Sequence, residues 1–320
     1  MKIEKIEKKL KMQIQMIQEK NKKEMIKEEE KKDQKEEKKN YNHQFEVKII
    51  EKNNLQVKCL IPDTLIHPRV EFSTITLQNG DIFIFGGYDP VTHRFIKQCE
   101  IYERTTGNLK LSIRLRSSRG KAAFLLLKNG KVLISGGFTV FGKVLKDAEL
   151  FDPELQTITH IPVFMEDGRY GHSTHLLPNG LVLVAGGIDK DSKIVKKTVL
   201  FNVETFTKHQ DGPEMIMKRC SHSSIALKDG RIWFTGGEEN FSTTSTEFYD
   251  PKENKFFEGP DLYVPRRYHL THLFQDGKVL VLNGLSPDSN NISEIFDPTT
   301  NTIEKFPCMF IYILKYPFII

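Results

Sequence analysis

Cysteine is scarce in this chain. The four thiols (Cys59, Cys99, Cys220, Cys308) are far apart and form no CxxC pair. Disulfide frameworks and thiolate zinc sites use clustered or regularly paired cysteines, so neither is expected, and reduced thiols point to a cytoplasmic protein. The N-terminus MKIEKIEKKLKMQIQMIQEK holds no uninterrupted apolar stretch, so no secretory signal is expected. The apolar tail FIYILKYPFII is too short to span a bilayer and is interrupted by Pro317, so no membrane segment is expected either. A surplus of one charge is missing from most of the chain. The formal net charge is +5, but residues 1–40 carry 14 lysines against nine glutamates and one aspartate, which leaves a surplus of one for the remainder. A nearly neutral body offers no basic groove to nucleic acid. No GxSxG, P-loop or paired-carboxylate pattern appears, and no cofactor is expected.

What the chain does have is a recurring pair of glycines. Gly86–Gly87, Gly136–Gly137, Gly186–Gly187 and Gly236–Gly237 follow one another at a step of 50, and Asn283–Gly284 is a degenerate fifth copy 47 residues further on. Each pair closes the same kind of segment: LQNGDIFIFGG, LKNGKVLISGG, LPNGLVLVAGG, LKDGRIWFTGG and FQDGKVLVLNG. The Asn-Gly and Asp-Gly dipeptides predict tight hairpins of the type I′ kind. An arginine precedes each pair (Arg69, Arg119, Arg169, Arg219, Arg267), and an aromatic follows it in a β-rich segment (Tyr102, Phe151, Phe201, Tyr249, Phe296). One more short β segment completes each unit, giving four strands per repeat. A period near 50 points to a repeat architecture.

These five in-phase copies resemble the kelch repeat family over roughly residues 41–307. The resemblance implies a β-propeller, with four-stranded blades standing around a central channel. The tryptophan that many such repeats carry on the last strand is replaced here by Leu109, Ile158, Phe206, Phe256 and Ile303. The second strands are apolar on both faces, as a sheet sandwiched between two others requires. The first strands carry small residues such as Ala122, Ala123, Ser223 and Ser224, as crowding near an axis requires. The paired glycines, including Gly284, are read as structural: the second strand ends, turns sharply and lets a neighbouring backbone approach.

The expected fold is therefore all-β, five complete blades and an incomplete sixth, preceded by a charged helical or disordered extension over residues 1–40. FEVKIIEKNNLQVKCLIPDTLIHPR reads as the third and fourth strands of that sixth blade. Its first two strands should come from beyond Pro307, yet residues 308–320 lack the arginine, the hairpin turn and the glycines, which suggests a truncated or mis-ended version of a longer protein. In the extension, Ile3, Ile6, Leu10 and Ile17 make a partial heptad that allows weak self-association through a coiled coil; a solvated charged segment without a partner is the other reading.

Function is expected on the face that carries the long, varied connections after the glycines and before the first strands. The five arginines are candidates for a cationic rim that accepts an acidic peptide or other anion; alternatively they pair internally with Glu100, Glu149, Glu247 and Glu294, with Val199 leaving one copy without its carboxylate. Tyr170 and Tyr268 are contact candidates because they do not repeat. His172 and His175, like His269 and His272, are three apart and so point to opposite faces of a strand; no metal site is expected. The leading expectation is a non-catalytic scaffold that binds another protein. The alternative is an enzyme acting on a sugar or other small molecule at the channel mouth.

Overall fold

The computed structural model describes residues 45–50, 56–61, 65–238, 241–286 and 292–306. The extension over residues 1–40, with its coiled-coil reading, and the tail 308–320 lie outside the described residues. Five four-stranded antiparallel sheets make up five blades of a β-propeller. Blade 1 is built from Val70–Thr76, Ile82–Tyr88, Gln98–Tyr102 and Leu109–Arg114, and blade 2 from Ala123–Leu126, Val132–Ser135, Ala148–Asp152 and Thr157–Ile161. Blade 3 comprises Ser173–Leu176, Leu181–Ala185, Thr198–Asn202 and Thr207–Asp211. Blade 4 comprises Ser223–Ala226, Ile232–Thr235, Thr246–Asp250 and Lys255–Glu258, and blade 5 Leu270–Leu273, Val279–Leu282, Ser293–Asp297 and Thr302–Phe306. The segment expected to form half a further blade is an antiparallel hairpin, Phe45–Ile50 paired with Gln56–Ile61.

The hairpins differ from the expected turn in one respect. The glycine of each dipeptide has positive φ (Gly80 +87°, Gly130 +80°, Gly180 +84°), but the Asn or Asp before it does not. Gly80 N–H donates to Leu77 O at 2.9 Å and Leu77 N–H to Asp81 O at 2.8 Å, the pattern of a three-residue loop with a left-handed glycine. The Asn or Asp serves the loop through its side chain instead. Its oxygen accepts the N–H two residues on, as in Asn179 to Leu181 and Asp229 to Arg231.

The core lies between blades, and the strand period dictates it. Along the second strand of blade 2, Val132 and Ile134 pack with Phe83, Phe85 and Ile101 of blade 1. Leu133, between them, packs with Val182, Val184 and Phe201 of blade 3. The same alternation joins blade 3 to 4 through Leu183 and Phe234, and blade 4 to 5 through Trp233 and Val281. The residues standing where a tryptophan was expected do fill these gaps: Phe256 and Ile303 are core members, and Ile158 and Phe206 pack against the core. Each large side chain removed from water at such a junction contributes about 1.5–3 kcal/mol, so the ring is held together by its joints.

Candidate partner-binding face

The joints also explain the glycines. In blades 3, 4 and 5 the carbonyl of the arginine reaches back to the previous blade, accepting from the second glycine's N–H: Gly137 to Arg169 O at 2.9 Å, Gly187 to Arg219 O at 2.9 Å, Gly237 to Arg266 O at 2.8 Å. A Cβ on Gly136, Gly186 or Gly236 would stand 2.4 Å from that same carbonyl. Side chains of this arginine series grip their own blade. Arg119 Nη1 donates to Gly136 O at 2.9 Å and Arg219 Nη1 to Gly236 O at 2.7 Å, tying the first strand to the end of the second. Carboxylates complete the grip: Arg69–Glu100 at 3.1 Å, Arg119–Glu149 at 3.0 Å and Arg219–Glu247 at 2.7 Å.

Two corrections follow. Arg69, Arg119, Arg169 and Arg219 are at most 4% exposed, so as placed they present no cationic rim to a partner. The fifth member of the series is Arg266, not Arg267: Arg266 donates to Asn283 O and pairs with Glu294 at 2.7 Å. Arg267, one residue out of phase, is half-exposed and pairs with Glu238.

Two residues beyond the arginines of blades 2 to 5, the backbones are linked to one another at the channel mouth. Gly171 N–H donates to Lys121 O, Ser221 N–H to Gly171 O, and Tyr268 N–H to Ser221 O, each at 2.9 Å. All four residues have positive φ, between 50° and 63°. Lys121, Ser221 and Tyr268 bear a strain normally left to glycine, and the linked ring over-determines it. The Lys121 ammonium also donates to the Tyr268 hydroxyl and lies 4.6 Å from its ring centroid, so blades 2 and 5 touch across the mouth. Tyr170 ends an aromatic arc that runs from Tyr88 through Phe95 and Phe138 at centroid distances of 6.1, 5.1 and 4.9 Å.

The histidines serve the joints. His172 Nε2 meets Ser135 Oγ of blade 2 at 3.1 Å and His175 Nε2 meets Ser224 Oγ of blade 4 at 2.7 Å, on opposite sides of one strand. His269 Nε2 meets Thr235 Oγ1 at 2.7 Å. Among the described residues, no three His, Cys, Asp or Glu side chains are placed to hold a metal ion. Burial holds His172 and His269 well below the usual histidine range, His172 to about 3, with Arg169 and Arg266 adding to the effect. An unfolded chain protonates these rings near pH 6.5, so between that value and the folded one the unfolded state binds more protons. Stability contributed by their neutrality is complete above about pH 6.5–7 and is lost as pH falls, by about 1.4 kcal/mol per pH unit for each ring. The melting temperature at constant ionic strength should fall from pH 7 to pH 5; a flat profile would contradict these buried neutral rings.

Above the mouth, the connections after the glycines rise as small hairpins closed by the bridges Tyr88–Phe95, Phe138–Val144, Ile188–Ile194 and Glu238–Ser242. Their crests carry Val140 at 50% exposure, Phe141 at 93% and Phe241 at 80%; in blade 5 Leu285, 40% exposed, follows the glycine directly, in the place of Phe138 and Glu238. Ser242 Oγ donates to Leu285 O, which links the blade 4 connection to that of blade 5. The connections that lead into the first strands add exposed Ile66, Val163, Ile216 and Tyr263. On the same face, a groove of about 490 Å³ between blades 3 and 4 has Ile194, Val195, Ile216 and Met217 against Lys197 and Lys218. Phe141 and Phe241 are missing from the contact candidates drawn from the sequence, which all stand at or beside the arginines. A bulky aromatic alone in a variable loop is the signal that could have found them.

Among the described residues, no helix is long and apolar enough to cross a membrane. No protein-family profile matches the chain, and no curated protein matches it by sequence. By fold, 696 solved chains match, so the architecture is too widely shared to name an activity. One is the structure of YjhT, which aligns with a TM-score of 0.65 and 13% identity over 80% of this chain and 89% of YjhT. At that identity the likeness shows a shared β-propeller fold.

Proposed function

We propose that this chain is a kelch-type propeller that serves as a non-catalytic scaffold, binding another protein through its long-loop face. The 50-residue period, the paired glycines at the joints and the repeated arginine support the kelch reading. One observation carries the binding reading: among the described residues, eight of the nine exposed large apolar side chains lie on the connections of that face, and Leu155 lies elsewhere. Large apolar groups grouped on one face are the usual mark of an interaction surface. The arginines belong to the frame; the crest residues Phe141 and Phe241 are the contacts.

The test is the double variant Phe141→Asp, Phe241→Asp. Both side chains stand in solvent, so stability should change by less than about 0.5 kcal/mol. Any partner recovered on the unmodified protein should be lost, with affinity reduced at least tenfold by calorimetry. Retention of every partner by the folded double variant would overturn the choice of surface.

A further inference from the structure

One blade lacks a part that the other four have. In blade 2, the Glu149 carboxylate is fully buried and accepts from Arg119 Nε at 3.0 Å, Arg116 N–H at 2.7 Å and Ser117 N–H at 3.3 Å. In blade 4, Glu247 accepts from Arg219 Nε and Ile216 N–H, both at 2.7 Å. In blade 5, Glu294 accepts from Arg266 Nη2 at 2.7 Å, Tyr263 N–H at 2.7 Å and Val264 N–H at 3.3 Å. Blade 1 repeats the arrangement with Glu100, Arg69 and the His67 N–H.

Blade 3 has Val199 in that place, 6% exposed and turned into the apolar joint with blade 2. The donors nevertheless remain. Arg169 is 3% exposed; its Nη1 donates to Gly186 O at 3.2 Å and Lys197 O at 3.0 Å, but its Nε is buried without a partner. Glu166 and Asp167 make the same bend as Arg116–Ser117 and Ile216–Met217, and among the described residues their N–H groups have no acceptor. The Glu166 side chain is turned away, to Lys208 at 3.0 Å. Asp167 and Asp189 lie close enough to favour the guanidinium charge, yet neither is hydrogen-bonded to it. A buried guanidinium without a bonded counter-ion is costly. The donors that meet a carboxylate in blade 2, the arginine Nε and two backbone N–H groups, all stand without a carboxylate in this one, beneath exposed residues of the long-loop face.

We propose that Arg169 Nε and the N–H groups of Glu166 and Asp167 form a receptor for one carboxylate supplied from outside the blade. The chemistry is that of blades 2 and 5, a planar anion held by one guanidinium N–H and two backbone donors. The carboxylate is either that of a small free acid or the side chain of an acidic residue on a bound protein.

The test uses the full chain, labelled for amide spectroscopy, with sodium acetate titrated against sodium chloride at fixed ionic strength. The amide signals of Glu166 and Asp167 should shift saturably. Those of Arg116, Ser117, Ile216 and Tyr263, whose seats are already filled, should stay. A Val199→Glu variant supplies the carboxylate internally and should reduce the acetate response at least tenfold. Should that variant fail to fold, the comparison of equivalent amides within the unmodified protein still decides. A short peptide with one glutamate among neutral residues, set against its glutamine counterpart, separates the two sources: response to acetate alone assigns a free acid, and tighter binding of the glutamate peptide assigns a protein side chain. Absence of any shift, equal shifts at all the amide pairs, or an undiminished response in folded Val199→Glu would overturn the proposal.

Discussion

Gly136→Ala is expected to destabilise the propeller by about 2–5 kcal/mol, enough to unfold a protein of ordinary stability at 37 °C. Two costs add. The residue sits at φ +60°, where a Cβ costs about 1–2 kcal/mol. The new methyl would also stand 2.4 Å from Arg169 O, 2.7 Å from His172 Cε1 and 2.9 Å from Met165 Cε. Those atoms belong to the next blade or to the chain leading into it, so relief requires opening a joint, an overpacking cost of about 1–3 kcal/mol. Gly142→Ala is the control: its φ is +73°, but nothing lies within 4 Å of its Cβ, so only the conformational cost of about 1–2 kcal/mol remains. Urea unfolding followed through the single tryptophan, Trp233, measures both. Equal losses would mean that the glycine pairs serve the turn and not the contact between blades.

That contact was readable in the sequence because the repeats act as internal replicates. A glycine pair at a constant step identified a position where side chains are excluded, and the two-faced apolar second strands identified sheets covered on both sides. The hairpin turns were legible in place but not in kind, since Asn-Gly suits either of two loops and the Asn side chain, accepting an N–H two residues on, decided between them. The arginines marked the repeat, but a conspicuous charge says nothing about whether it faces water. Only the carboxylates 28–31 residues away showed that it does not. At the fifth copy two arginines stand side by side, and the constant step of 17 residues from arginine to the first residue of the pair selects Arg266, which reaches Asn283 O, over Arg267. The exposed crest was least legible: Phe141 and Phe241 have no counterpart in the other repeats, and exposure is a tertiary property.

The second large effect lies in the buried ion pair of blade 4. Glu247→Ala should cost about 3–5 kcal/mol, the usual consequence of removing one member of such a pair. The substitution deprives Arg219 Nε and the Ile216 N–H of the acceptor that holds each at 2.7 Å. Replacing both members, Arg219→Met with Glu247→Leu, should recover most of that loss despite deleting twice as many polar groups. The physical reason is visible in the carboxyl itself. Burial pushes the Glu247 pKa above its ordinary value, and the attraction of Arg219 together with the N–H donors only partly opposes it. The interior thus disfavours this charge more than its partners favour it, and the pair, though essential once half is present, adds little compared with two apolar side chains. Chemical unfolding of Arg219→Met, Glu247→Leu and the double variant that combines them gives the coupling energy directly. Additive losses would mean that the two side chains are not coupled and would overturn this account of the pair.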